Sequence, residues 1–168
     1  MIYLDSAATT LQKPAAVPRA VAGAILTMAS PGRGAYGPAA QASEVLLALR
    51  EEAARLFHVP EPEQVVLTAS ATHGLNVAVR TLVRPGGTVL LSGWEHNAVT
   101  RPLAAVPGAE VRTVRAPLFQ PEAFLEELDR QLREDPPDAV FLTQVSNVFG
   151  YVLPVAEAAA LCRARGRT

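Results

Sequence analysis

Residues 64–76 read Gln64-Val-Val-Leu-Thr-Ala-Ser-Ala-Thr-His-Gly-Leu-Asn76. An apolar run ends, small and hydroxyl-bearing residues make a tight turn, and a helix begins. The pattern predicts a strand over Gln64–Thr68 and a helix over Thr72–Val83. The first N–H groups of a helix have no partner inside it and form a ready anion site, to which Thr72 adds a hydroxyl. Many helices also start after Ser or Thr simply to cap themselves. The stretch alone leaves both readings open, with the plain cap the commoner one.

Two more strand endings extend the pattern. Ser92-Gly-Trp-Glu-His-Asn97 follows the apolar run Thr88–Leu91, and Val145-Ser-Asn-Val-Phe-Gly150 follows Ala139–Leu142. In open α/β sheets, ligands bind beyond the carboxyl ends of the strands. Three such endings can line one crevice with an anion cup, an imidazole and an amide. Each also has an ordinary reading: His96 as a satisfied polar residue at a strand end, Asn147 as a turn former.

The rest of the chain supplies the frame. Pro14–Thr27 reads as a helix with Pro14 in its first turn. Residues 30–38 form a Gly- and Pro-dense loop. Ser43–Phe57 is a second helix, with Ser43 as its N-cap and Val45, Leu46, Leu49, Ala53, Leu56 and Phe57 as its apolar face. Beyond Pro60 and Pro62, strands alternate with helices. Strands are expected at Thr88–Ser92, Glu110–Arg115 and Ala139–Val145. Helices are expected at Asn97–Val106, Pro121–Arg133 and Val155–Arg165, the first of them distorted at Pro102. Apolar strands separated by amphipathic helices indicate a largely parallel sheet covered on both faces.

Bulk properties narrow the function classes. The 168 residues are 49% hydrophobic and 18% charged, enough for one packed domain. A formal net charge of −1 gives no reason to expect nucleic acid or an anionic membrane as partner. No apolar run reaches the roughly 18–20 residues that span a bilayer. The opening residues carry no signal-peptide pattern, so a cytoplasmic protein is expected. The single cysteine, Cys162, lies in a helical pattern and reads as a buried thiol; it excludes an internal disulfide and a multi-cysteine zinc site, and no metal is expected.

Five motifs occur in order along the chain: Tyr3-Leu-Asp-Ser-Ala-Ala-Thr-Thr10 with Lys13-Pro14, then Pro31-Gly-Arg-Gly34, Thr68–Asn76, Glu95-His-Asn97 and Val145-Ser-Asn-Val148. In these the chain resembles the N-terminal part of class V aminotransferase-fold enzymes, the cysteine desulfurase and selenocysteine lyase group. The resemblance implies an α/β fold, the first part of a fold-type I transferase large domain. Its mostly parallel sheet is flanked by helices and incomplete within these residues. Residues 1–60 would form N-terminal helices and substrate-side loops, and 61–168 the first part of the cofactor-binding domain.

The resemblance also implies pyridoxal 5′-phosphate (PLP) as cofactor. Ala71 and Thr72 match positions that hold its phosphate, and His96 the catalytic imidazole that stacks on its ring. Asn147 matches the amide that binds its phenolic oxygen; Ala8 and Arg33 match substrate-side positions. The implied reaction is sulfur removal from a cysteine-like amino acid by a homodimer, with a sulfur-acceptor protein as a further partner. The loop around Arg33 would then serve a neighbouring subunit. Gln144 departs from the pattern, since many relatives have His there. His73 reads as pocket rim and His58 as structural.

PLP chemistry needs a lysine amine. The one lysine, Lys13, falls in the opening motif, where the family has a structural Lys-Pro. The family's Schiff-base lysine and the aspartate at the pyridine nitrogen fall later in sequence. The expectation is a chain inactive alone that, if isolated, is unstable, aggregates, or needs a complementary polypeptide. Transamination or another PLP lyase reaction, and a non-catalytic fragment or half of a split enzyme, are the alternatives.

Overall fold

The computed structural model describes residues 2–4, 6 and 9–166. The chain divides into two compact units, Met1–Leu67 and Thr68–Thr168.

The first unit holds α1 (Ala16–Thr27) and α2 (Gly37–Phe57). Helix α2 starts six residues before the expected Ser43. Pro38 is the reason: in the first turn its missing N–H costs nothing and its fixed φ favours the helix, so the Gly-Pro pair opens α2 rather than breaking the chain. Ser43 is not the N-cap; its hydroxyl donates to Ala39 O at 3.1 Å inside the helix. The helix stops at His58, which adopts the left-handed conformation (φ 53°). There the N–H groups of His58 and Val59 both reach Ala54 O, as in a Schellman-type ending. Ala39, Ala42 and Ala54 are its buried residues, while of the expected apolar face Val45, Leu46, Leu49, Leu56 and Phe57 are exposed and Ala53 is half-buried.

The expected strand at Gln64–Thr68 does not form. Pro62 starts a 3-10 turn over Pro62–Gln64, in which Val65 N–H donates to Pro62 O at 3.0 Å. Residues 65–68 belong to no ladder. An extended segment becomes a strand only where a neighbour takes its backbone hydrogen bonds.

The second unit is a parallel three-stranded sheet with helices on both faces. Its elements are α3 (Ala71–Leu82), β1 (Thr88–Leu91), α4 (Asn97–Ala104), β2 (Glu110–Thr113), α5 (Pro121–Glu134), β3 (Ala139–Phe141) and α6 (Val155–Ala164). The strand order is β2-β1-β3. Thr88 pairs with Glu110 and Leu91 with Thr113 on one side of β1, and Val89 pairs with Ala139 on the other. Alternation along β1 divides the core. Leu90 packs among Phe124, Leu128 and Leu132 of α5 and Ala158 and Cys162 of α6. Val89 and Leu91 pack among Val79 of α3, Val83, and Val99 and Leu103 of α4. Helices α3 and α4 therefore cover one face, α5 and α6 the other.

Each strand ends before its expected limit: β1 at Leu91 rather than Ser92, β2 at Thr113 rather than Arg115, and β3 at Phe141 rather than Val145. Pro102 lies inside α4, and the helix ends two residues later at Ala104 rather than at Val106. Cys162 is the expected buried thiol; burial pushes its titration up, opposed weakly by the Arg163 charge. Among the described residues no helix is long and apolar enough to cross a membrane.

Candidate functional site

The central strand exits into Ser92-Gly-Trp-Glu-His96 and then α4, on the Leu91 face. Its neighbour β3 exits into residues 142–154 and then α6, on the Leu90 face. Adjacent parallel strands whose connections leave to opposite faces open a crevice at their carboxyl ends. Two of the three expected strand endings, after β1 and β3, lie at this edge; the third, after residues 64–68, follows no strand.

At α3 the cap and the anion cup turn out to be compatible. Ser70, not Thr72, is the N-cap: its hydroxyl accepts His73 N–H at 3.1 Å, and its carbonyl accepts Gly74 N–H at 3.0 Å. The N–H groups of Ala71 and Thr72 are left without an acceptor in the helix. Thr68 comes close beneath the turn, so that a Cβ on Gly74 would stand 3.3 Å from its Oγ1. A helix start, two directed N–H groups and the exposed Thr72 hydroxyl form a donor set suited to an anion.

His96 is the N-cap of α4, and its Nδ1 accepts Ala98 N–H at 3.1 Å. A nitrogen that accepts carries no proton, so the neutral ring bears its hydrogen on Nε2. Thr72 and His96 line one cavity of about 360 Å³ between α3 and α4. Asn76, Arg80, Asn97 and Arg101 also face it, and neither α3 nor α4 has an acidic residue in its first turn. The two helix starts, the imidazole and two guanidiniums give the cavity a positive character.

Asn147 sits on a different support. Val145 and Val152 form an antiparallel bridge, and the buried Ser146 accepts Val148 and Phe149 N–H groups at 3.4 and 3.3 Å. Gly150 closes the turn with φ 64°, its N–H reaching Ser146 O at 2.8 Å. Asn147 is exposed at the tip and does not line the Thr72–His96 cavity. Its loop is nevertheless docked to the loop of His96, since the Trp94 and Phe149 rings meet edge to face at 5.3 Å.

Arg33 lies exposed in the other compact unit, in the bend before α2. Ala8 falls outside the described residues. His73, expected at a pocket rim, is exposed in the first turn of α3, and Gln144 contributes its carbonyl to Leu153 N–H at 2.9 Å.

One residue escaped the sequence reading. Glu95 Oε1 accepts Ser92 N–H at 3.1 Å and Thr143 N–H at 3.3 Å, as well as the Ser92 hydroxyl; Oε2 accepts Gly93 N–H at 2.8 Å. The available signal was the Ser92-x-x-Glu95 spacing, a capping-box pattern used here on a strand end.

The fold is an α/β domain in which the start of α3 and the imidazole of His96 face one cavity. The profile of the class-V aminotransferase family matches residues 2–168, and the chain belongs to that family. It is 34% identical over 173 residues to a probable cysteine desulfurase of Pseudomonas aeruginosa, covering 99% of this chain and 42% of that protein. Among solved structures, the cysteine desulfurase CsdA of Escherichia coli is 28% identical, with a TM-score of 0.75 over 99% of this chain and 43% of its own. The apo cysteine desulfurase of Thermococcus onnurineus NA1 reaches a TM-score of 0.85 at 20% identity over 99% of this chain and 42% of its own, a likeness of fold. The chain spans about two fifths of the length of the curated relatives it matches.

Proposed function

We propose that this chain supplies the phosphate cup, ring-facing imidazole and phenol-oxygen ligand of a PLP-dependent cysteine desulfurase. The observation that carries the reading is the cavity between α3 and α4 that Thr72 and His96 share. The donor set fits the cofactor. A phosphate dianion matches the unpaired Ala71 and Thr72 N–H groups and the Thr72 hydroxyl, and the helix start favours its charge by about 0.3–2 kcal/mol. Ring stacking on His96 would add about 0.5–1.5 kcal/mol.

PLP, when bound, supplies the electron sink that weakens bonds at the substrate's α and β carbons. The residues of this chain orient and hold protons around it. With Nδ1 engaged by Ala98, His96 would present its Nε2–H as a hydrogen-bond donor on the cofactor side. Asn147 presents an amide donor for the phenolic oxygen. Arg33 and Ala8 belong to the substrate side of this reading. The covalent amine comes from residues outside these 168: Lys13 is the one lysine here, and its Nζ donates to Thr10 O at 2.6 Å. The complete enzyme is read as a cytoplasmic homodimer that passes sulfur from a cysteine-like substrate to an acceptor protein.

The test uses the single tryptophan, Trp94, as reporter. PLP and inorganic phosphate are titrated while Trp94 emission is recorded, and PLP is then challenged with borohydride. Saturable PLP quenching, competed by phosphate and weakened in Thr72→Val, is the expected result, with no stoichiometric reduced adduct. Quenching by pyridoxal as strong as by PLP would overturn the phosphate cup. A stoichiometric adduct on Lys13 would overturn the external amine. In the complete enzyme, L-cysteine should yield alanine and sulfide equivalents; keto-acid or pyruvate products would reject desulfuration.

A further inference from the structure

Glu95 stands in the crevice between two strand exits and binds backbone on both. From the β1 exit it takes the N–H groups of Ser92 and Gly93 and the Ser92 hydroxyl; from the β3 exit it takes the Thr143 N–H. Ser92 is itself buried and passes the restraint on, its Oγ accepting Trp94 N–H at 3.2 Å. The next residue along is His96, and four residues past Thr143 is Asn147. The two loops otherwise touch through the Trp94–Phe149 ring contact.

Parallel strands need such a device at this edge. Where β1 and β3 diverge, their last N–H groups leave the ladder, and each needs an acceptor. An ionised carboxylate offers two oxygens and about four lone-pair sites. It can therefore serve both strands at once, and charge-assisted bonds are the stronger kind. A glutamine at the same place has one accepting oxygen, and its NH₂ would face a backbone N–H. An alanine would leave three backbone N–H groups and the Ser92 hydroxyl without this acceptor.

We propose that Glu95 is a positioning residue: its carboxylate clamps the carboxyl ends of β1 and β3 and thereby sets His96 and Asn147 at a fixed separation across the cofactor crevice. The clamp stands on the hydrogen bonds alone; its use in cofactor binding rests on the PLP reading above.

Hydrogen exchange resolved to single amides, in the purified protein, tests the clamp. Thr143 lies beyond the last residue of β3, so without Glu95 its amide would exchange freely. In the wild-type protein it should exchange at least about tenfold slower than in an unstructured peptide. Exchange at the free-peptide rate overturns the proposal without any variant. In Glu95→Gln, whichever of Thr143 (held by Oε1) and Gly93 (held by Oε2) comes to face the side-chain NH₂ should lose about tenfold in protection, while Leu90, in the centre of β1, keeps its own. Loss spread evenly over β1 and β3 would mark a general stability role and also overturn it.

The second arm follows PLP quenching of Trp94. Glu95→Gln should weaken apparent affinity about tenfold, with Glu95→Asp in between. Equal affinity in wild type and Glu95→Gln removes the positioning role. No quenching in the wild type removes the PLP reading instead, and leaves the clamp to be decided by exchange.

Discussion

Asp138 and Thr88 join the amino ends of β3 and β1 by a reciprocal pair of hydrogen bonds. Asp138 N–H donates to Thr88 O, and Thr88 N–H donates to Asp138 Oδ2, both at 2.8 Å. Strands of three and four residues have few ladder bonds, so each terminal pair counts. Asp138→Ala leaves Thr88 N–H without its acceptor and should cost about 1–2 kcal/mol in denaturant unfolding. The site is at the opposite edge of the sheet from Thr72 and His96. PLP quenching of Trp94 in the folded variant should therefore be unchanged.

Gly93 is required by both its backbone and its neighbour. Its φ is +91°, and a Cβ there would stand 2.7 Å from Thr113 Cγ2 on β2. Gly93→Ala must either move the loop or hold a strained conformation, at about 1–3 kcal/mol. The loop also carries Glu95 and His96. A lowered unfolding midpoint together with weaker PLP quenching is expected; a midpoint that falls with ligand affinity intact would show that the loop shifts without carrying His96 along.

His96 has two separable duties, capping α4 and presenting its ring. His96→Asn keeps a good N-cap and should stay within about 0.5 kcal/mol of wild type, whereas His96→Ala should lose about 1 kcal/mol. Both lose the imidazole and its Nε2–H donor, so both should weaken PLP binding. Thermal melts and quenching titrations on the pair separate the duties.

The alternation of strand and helix after residue 70 was legible because Val and Leu runs are bounded by Pro, Gly and polar caps. His96 follows such a run at the end of β1, while Thr72 follows an apolar run that forms no strand and meets His96 through the pairing of α3 with α4. The failures have one physical source: backbone donors satisfied in ways that the local pattern does not show. Gln64–Thr68 has apolar strand composition but no ladder. Gly37-Pro38 looks like a breaker and is a helix start. Within the Glu95-His-Asn97 motif no role for Glu95 was legible, because its farthest partner, Thr143, is 48 residues away in sequence. Ser70, three residues before His73, was the cap hidden within a run of small residues.

Burial makes the protein sensitive to alkali. The Cys162 thiol and the Tyr151 phenol are both pushed up by desolvation, with the Glu122 charge adding to the effect on Tyr151. A raised folded-state value means the folded protein holds the proton more tightly than the unfolded chain. The stabilisation is present below the unfolded values, about 8.5 for Cys and 10 for Tyr, and is lost as pH rises through the folded ones. Glu127, held down mainly by its hydrogen bond from Arg130, acts oppositely: its contribution is present above about pH 4.3 and fades as pH falls. Stability measured by urea unfolding should decline above about pH 8.5, and Cys162→Ala should flatten the first part of that decline.

The loop that presents Asn147 also presents apolar surface. Val145, Val148, Phe149 and Val152 are 52, 73, 50 and 62% exposed, close together around a single bridge beside β3, the end strand of the sheet. Contiguous apolar surface next to an unpaired strand edge drives association. The 168-residue chain by itself should therefore bind a hydrophobic dye and form higher species as its concentration rises. Val148→Asp removes apolar surface without touching the Trp94–Phe149 contact or the Ser146 turn bonds, which use the Val148 backbone. It should raise the soluble fraction while Trp94 emission stays as in the wild type. Phe149→Ser should raise solubility too, but at the cost of the ring contact, and so red-shift Trp94. A wild-type chain that remains monomeric and unfolds in one cooperative transition at all concentrations would show that this surface needs no cover.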